Sequence, residues 1–190
     1  MWTFYAGLAG LLLSSVYLVW KVQAEYTSRQ NLAQSTAAAV WIWYVLHAAL
    51  TAYVAWRSIW PLALNRLLAI VAGSLLSIAG LTVAAAGILH LRSLQRMSGR
   101  ATDELVTSGI YGWSRNPQNV GWFLVLLGVS VIGRSAGAIV LLALFALTLH
   151  FYIVYVEEPY LEEVFGDAYR RYRSTTPRCL GLPKERRDHG

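Results

Sequence analysis

Apolar and polar positions along the chain alternate in long blocks rather than at single-residue spacing. Apolar runs occupy residues 2–20, 36–56, 67–91, 117–133 and 138–156, separated by polar connectors. Runs of about 20 apolar residues match the hydrocarbon thickness of a bilayer when wound as α-helices. The fourth is the shortest, about 25 Å at 1.5 Å per residue. The pattern predicts an all-α, integral-membrane bundle of five transmembrane helices forming one domain over residues 1–190. Trp2, Trp20 and Trp56 lie at run ends, where indoles anchor at the membrane–water interface. In the third run Gly73, Ser77, Gly80, Ala84 and Gly87 recur every three or four residues, a stripe of small side chains that lets helices approach closely in lipid. Residues 133–137, Gly-Arg-Ser-Ala-Gly, read as a tight hairpin. Beyond Pro159 the spacing of Leu161, Phe165, Tyr169 and Tyr172 gives one apolar helical face. It predicts an amphipathic surface helix over 160–172, lying on the membrane or folded over a site. The connector 21–35 carries Glu25, Arg29 and Gln30 without a motif, and 184–190 reads as a disordered charged tail.

Composition sharpens this picture in two ways. The hydrophobic share is 56% with a mean hydropathy of +0.45, and its concentration in runs marks a membrane protein. Net charge is +6, but the basic residues sit in connectors and tail, where they adjoin membrane lipids, and no nucleic-acid-binding module is visible. With five spans, thirteen of the sixteen Lys and Arg residues fall on the face shared by the 21–35 connector, the 92–116 connector and the tail. Arg57, Arg66 and Arg134 lie opposite, and all ten acidic residues share the basic face. The positive-inside rule then places the N-terminus outside and the C-terminus in the cytoplasm. No basic segment precedes the first run, which reads as a retained span. The lone Cys179 excludes an internal disulfide, and with eleven residues after it is not a prenylation site. No metal-ligand cluster is predicted, and oligomeric state is not legible.

Candidate chemistry concentrates in two segments. The connector 105–121 contains Gly109-Ile110-Tyr111-Gly112-Trp113-Ser114-Arg115-Asn116-Pro117-Gln118-Asn119. Pro117 suits the first position of a helix, Asn116 suits its cap, and Arg115 beside a helix start makes an anion site. The second segment begins at Glu157-Glu158-Pro159-Tyr160 and ends at Pro177-Arg178. Glu162 and Glu163 read as a solvated face, and Tyr169 and Tyr172 as interfacial anchors. His47 and His150 lie within apolar runs; each reads first as a histidine bonded inside the bundle, with a functional role as the alternative.

Together the two segments resemble the isoprenylcysteine carboxyl methyltransferase and phospholipid methyltransferase superfamily of integral-membrane enzymes. The resemblance covers roughly the C-terminal half. It implies an S-adenosyl-L-methionine-dependent methyltransferase acting on a lipophilic small-molecule or lipid-like substrate from the bilayer. It also implies a cofactor site at Glu104, Leu105 and Val106, at Tyr111, at Asn116-Pro117-Gln118-Asn119 in place of a His-Pro-x-Tyr element, and at the pair Glu157-Glu158. Arg115, Glu157 and His150 are the catalytic candidates. Ile153 stands where isoprenylcysteine-type members carry an Arg for the substrate carboxylate, which predicts a neutral acceptor. An NADPH-dependent, sterol-reductase-like oxidoreductase and a non-catalytic membrane protein of the same fold are the alternatives.

Overall fold

The computed structural model describes residues 1–29, 31–91, 105–179 and 181. Its helices are α1 (Trp2–Arg29), α2 (Gln34–Trp56), α3 (Arg66–Leu91), α4 (Pro117–Ile132), α5 (Ala136–Tyr152), α6 (Glu158–Phe165) and α7 (Asp167–Thr175). A 3₁₀ turn, Gly109–Gly112, precedes α4, and a π-helical turn, Ile153–Glu157, joins α5 to α6. There is no strand among the described residues. Trp2–Arg29, Gln34–Trp56, Arg66–Leu91 and the continuous helical stretch Ala136–Phe165 are long and apolar enough to cross a membrane; Pro117–Ile132 is the shorter fifth. The protein is an all-α integral-membrane bundle. Leu13, Leu67, Leu75 and Leu89 point outward, as lipid-facing side chains do.

Successive helices run in opposite directions, so alternate connections gather at two ends. At one end the loop after α2 is stitched to the α4–α5 hairpin. Leu62 N donates to Arg134 O (2.7 Å), Ala136 N to Trp60 O (2.9 Å) and Ser135 Oγ to Ile59 O (2.7 Å). Phe4, near the start of α1, packs edge-on against Trp60. Between the ends lies an apolar core of Leu11, Trp43, Val54, Leu126, Leu141, Phe145, Leu149 and Ile153. His47 is wholly buried there, 5.2 Å in ring centroid from both Trp43 and Phe145. Thr51 Oγ1 lies 3.5 Å from His47 Nδ1, and His47 Nε2 has no hydrogen-bond partner.

The small-residue stripe of α3 packs along α4. A Cβ on Gly80 would stand 2.6 Å from Gly121 O and 2.7 Å from Val125 N; one on Gly73 would stand 2.6 Å from Gly128 O. Backbone meets backbone, a separation that only glycine permits and one that gains dispersion contacts where lipid gives no hydrophobic drive.

Three sequence expectations need correction. The first helix does not end at 20 but continues to Arg29, absorbing much of the expected 21–35 connector. Glu25 in that extension is buried and works as a remote cap for α2, accepting from Ala33 N (2.8 Å) and Thr36 Oγ1 (2.7 Å), with Lys21 Nζ 3.3 Å away. The expected single helix over 160–172 is two, because α6 and α7 meet at Gly166 with φ +53°, a conformation that costs other residues free energy. Nor do Tyr169 and Tyr172 anchor at an interface; both are buried against the bundle. Glu104 and the tail 184–190 lie outside the described residues.

The glycine seam predicts opposite signs at two positions. Gly80→Ala should lower stability by about 1–3 kcal/mol, because the new methyl meets backbone that can yield only by separating the helices. At Gly10 an added Cβ meets nothing within 4 Å, so Gly10→Ala should be neutral or gain up to about 1 kcal/mol from helix propensity. Thermal unfolding of both variants in one detergent checks the contrast.

Candidate functional site

A cavity of about 500 Å³ opens at the end of the bundle opposite the stitched loops. The C-terminal ends of α1, α3 and α5 and the N-terminal ends of α2 and α4 converge on it, as an up-and-down order requires. Its wall is mostly apolar and aromatic, with Tyr26 from α1, Trp41 and Tyr44 from α2, Ile88 from α3, Trp122 from α4 and Tyr152 from α5. Leu161, Phe165 and Tyr172 close it from α6 and α7. Among the described residues Arg115 is the only Lys or Arg on this wall, and Glu157 the only Asp or Glu.

The candidates from sequence divide into two layers. Leu105, Val106, Tyr111, Arg115, Gln118, Asn119 and Glu157 line the cavity, so the two distant segments do meet. Asn116, Pro117 and Glu158 sit behind them. Asn116 holds the N-cap position of α4, but its side chain does not cap; its Nδ2 donates instead to Arg178 O (3.4 Å). His150 is exposed on α5 beside Phe151 and does not border the cavity. The reason is the π turn. Seven residues separate His150 from Glu157, two α-turns in an unbroken helix, but a turn holding one extra residue rotates the phase by roughly 100°. Tyr152, five residues before Glu157, shares the cavity wall with it instead. Ile153 is likewise in the apolar core rather than on the wall.

Polar contacts fix the wall residues. Tyr44 OH donates to Asn119 Oδ1 (2.9 Å), and Tyr111 OH to Gln118 Oε1 (2.7 Å). Tyr172 OH donates to Tyr111 O (2.7 Å), tying α7 to the 3₁₀ turn. Burial holds the Tyr111 and Tyr172 phenols above their ordinary range, so both stay protonated donors. Tyr169 is pushed up to about 12 by burial and by the Glu158 charge, against the pull of Arg115.

Behind the wall lies a charge cluster. Arg115 Nη1 reaches Glu158 Oε1 (2.9 Å) and Tyr169 OH (3.2 Å). Arg178 clasps the same carboxylate with two nitrogens, Nε to Oε1 (2.7 Å) and Nη2 to Oε2 (3.0 Å). Four buried polar atoms of the wall residues have no hydrogen-bond partner: Arg115 Nε, Glu157 Oε2 and the indole nitrogens of Trp43 and Trp122. Unsatisfied groups of this kind are costly and mark positions that a ligand can complete. Sequence reading placed Arg178 only at the end of a motif. Its role depends on the fold of the chain after α7, for which the sequence carries no local signal. Glu162, read as a solvated face, pairs at the surface with Arg170 (3.4 Å) and Arg173 (2.9 Å).

The chain is similar to known methyltransferases. The family model described as phospholipid methyltransferase matches residues 68–168, which run from α3 into the start of α7. Protein-S-isoprenylcysteine O-methyltransferase of Schizosaccharomyces pombe is 39% identical over 82 residues, covering 42% of this chain and 33% of the relative. The Mus musculus protein of the same name is 32% identical over 122 residues, 64% of this chain and 41% of its own. That of Xenopus laevis is 28% identical over 148 residues, 78% and 50% respectively. The chain thus spans a third to a half of the length of these relatives. No solved structure matches.

The buried network predicts graded costs. Tyr172→Phe should lower stability by about 1–3 kcal/mol, since Tyr111 O is left buried without its donor. Glu158→Ala should cost about 3 kcal/mol or more, because two guanidinium groups lose their shared counter-charge; the outer one is 34% exposed and partly solvated, which keeps the loss near the lower bound. Denaturation monitored by tryptophan fluorescence should rank Glu158→Ala as the more damaging.

Proposed function

Since the chain belongs to the phospholipid methyltransferase family, we propose that it transfers a methyl group from S-adenosyl-L-methionine to a lipophilic acceptor that enters from the bilayer. The observation that carries this reading is that Arg115 Nε and Glu157 Oε2, the two atoms of charged groups among the wall's unpartnered buried ones, share one mostly apolar wall. A zwitterionic amino-acid group satisfies both, its carboxylate on Arg115 and its ammonium on Glu157. Tyr111, Trp122 and Tyr152 supply flat faces for a purine and for a sulfonium cation. Bound there, S-adenosyl-L-methionine would supply an electrophilic methyl group. The chain's own part is to hold the reactants in line and keep water away, work suited to a wall of aromatic and aliphatic side chains.

Bilayer entry has its own support. Val40, Trp41, Tyr44 and Val45 on α2 and Leu81, Ala84, Ala85 and Ile88 on α3 all border the cavity. Yet α2 packs against α1, α4 and α5, and α3 along α4; no comparable contact joins α2 to α3. The gap between them faces lipid. The acceptor preference does not rest on Ile153, which faces the core. It rests on Arg115, the one cation of the wall among the described residues, being engaged by Glu158 and by the cofactor, so that an acceptor carboxylate finds none of its own there. A neutral lipophilic thiol, amine or phenol is therefore the better acceptor. Such groups give up a proton on methylation, and His150 does not border the cavity to receive it. Of the described basic residues, Arg115 and Arg178 lie at the cavity end, and with the charge distribution along the sequence we infer that this end faces the cytoplasm and the N-terminus lies outside.

Three measurements test this reading. S-adenosyl-L-homocysteine should raise the unfolding temperature while NADPH does not; the reverse would point to a reductase. Arg115→Gln or Glu157→Gln should weaken that binding by roughly 1.5–3 kcal/mol in calorimetry, and His150→Ala should leave it unchanged. In a radiolabelled methyl-transfer assay, neutral lipophilic acceptors should outpace prenylcysteine carboxylates; fast, saturable methylation of the latter would overturn the acceptor assignment. For orientation, cysteines introduced at 134 and at 186 in a Cys179→Ser background should label from opposite sides of the membrane.

A further inference from the structure

The charge cluster behind the cavity wall is larger than an ion pair needs to be. Glu158 is 7% exposed at its side chain and Arg115 8%, so these two alone would make a neutral, buried pair. Arg115 would then bring little net charge to a ligand, because an arriving anion would meet Glu158 as well. Arg178 changes this balance. It takes both oxygens of Glu158 in the two-pronged geometry that gives the strongest guanidinium–carboxylate contact. Arg115 is left with one nitrogen on one oxygen, 2.9 Å away, and its Nε unpartnered. The three groups together carry a net charge of one positive unit, and of the two guanidinium groups only Arg115 lines the cavity.

The backbone that delivers Arg178 is fastened at the same place. Arg115 N donates to Pro177 O (3.0 Å), Ser114 Oγ and Asn116 Nδ2 to Arg178 O (3.4 Å each), and Gly181 N to Trp113 O (3.3 Å). The segment after α7 therefore lies along residues 113–116, directly behind the start of α4. It places Arg178 on the outer side of Glu158, opposite the cavity.

We propose that Arg178 is a positioning residue for ligand binding: by claiming Glu158 it leaves the charge of Arg115 available to an anionic group in the cavity. It acts through Glu158 and Arg115 and does not itself touch the ligand. The inference rests on the cofactor reading above, in which that anionic group is the carboxylate of the methionine portion.

The test separates charge balance from simple fastening of the segment. Calorimetry on the full chain in detergent compares S-adenosyl-L-homocysteine with its decarboxylated analogue, which keeps the adenosine, thioether and amine. Arg178→Gln should weaken binding of the first by about tenfold and of the second by less than about twofold. Adding Glu158→Gln to Arg178→Gln removes the carboxylate that Arg178 offsets, and should restore binding of S-adenosyl-L-homocysteine to within about threefold of wild type. Arg178→Lys keeps the charge without the fork and should fall between wild type and Arg178→Gln; if Arg178→Gln does not fold, the Lys variant and the double variant carry the comparison. Equal losses for both ligands, or no recovery in the double variant, would show that Arg178 only fastens the segment and would overturn the proposal. A wild-type chain that binds neither ligand would remove the cofactor reading and this inference with it, whereas wild-type binding without ligand discrimination in the variants removes the inference alone.

Discussion

A buried carboxylate needs its charge answered, and in this bundle Glu158 is answered from two directions at once. One answer comes from Arg115, at the start of α4; the other comes from Arg178, beyond the last helix. Three segments far apart in sequence are thus held to a single point just behind the cavity. Tyr169 and Tyr172 extend the same junction, one accepting from Arg115 and the other donating to the backbone of Tyr111. Beside this joint the apolar packing is a smaller cluster of Val22, Tyr26, Leu32, Val156 and Tyr160, separate from the main core that reaches Ile153. Electrostatics does here what packing does deeper in the bundle.

The division of labour follows from the solvent. In lipid, hydrophobicity cannot hold one helix to another, so α3 and α4 approach until their glycine backbones touch. Near the headgroups water competes for hydrogen bonds, and there the contacts are charged, aromatic or doubly anchored. Tyr26 of α1 stacking on Tyr160 of α6 at 3.9 Å, with planes within 3°, is one such contact. It ties the first helix to the segment that carries Glu157 and Glu158.

Much of the fold was legible because lipid imposes long apolar runs and because small residues at helical spacing have few other uses. The meeting of Arg115, Tyr111 and Glu157 on one cavity was legible too, since an up-and-down order brings alternate helix ends together. What escaped the sequence was whatever lacked a local signature. Lys21, Glu25 and Arg29 look like a connector, yet they extend a helix because Glu25 finds buried partners at the start of α2. Gly166 interrupts a helical pattern that its neighbours continue, and only its positive φ shows the break. The side chain of Asn116 suited a cap but was drawn to Arg178 O instead. The role of Arg178 required knowing where the chain goes after its last helix.

The π turn at Ile153–Glu157 has a consequence for how this chain can change over time. Substitutions between Tyr152 and Glu157 alter side chains, but the loss or gain of one residue there alters the angle at which everything beyond it leaves the bundle. A single deletion would wind the turn back to ordinary pitch and swing Glu157 off the wall by roughly a quarter-turn. Glu158 and Tyr160 would move with it, away from Arg115 and Tyr26. Lineages that keep the cavity must therefore keep the count of residues in this stretch, even where its letters drift. Length, here, constrains the site more strictly than composition.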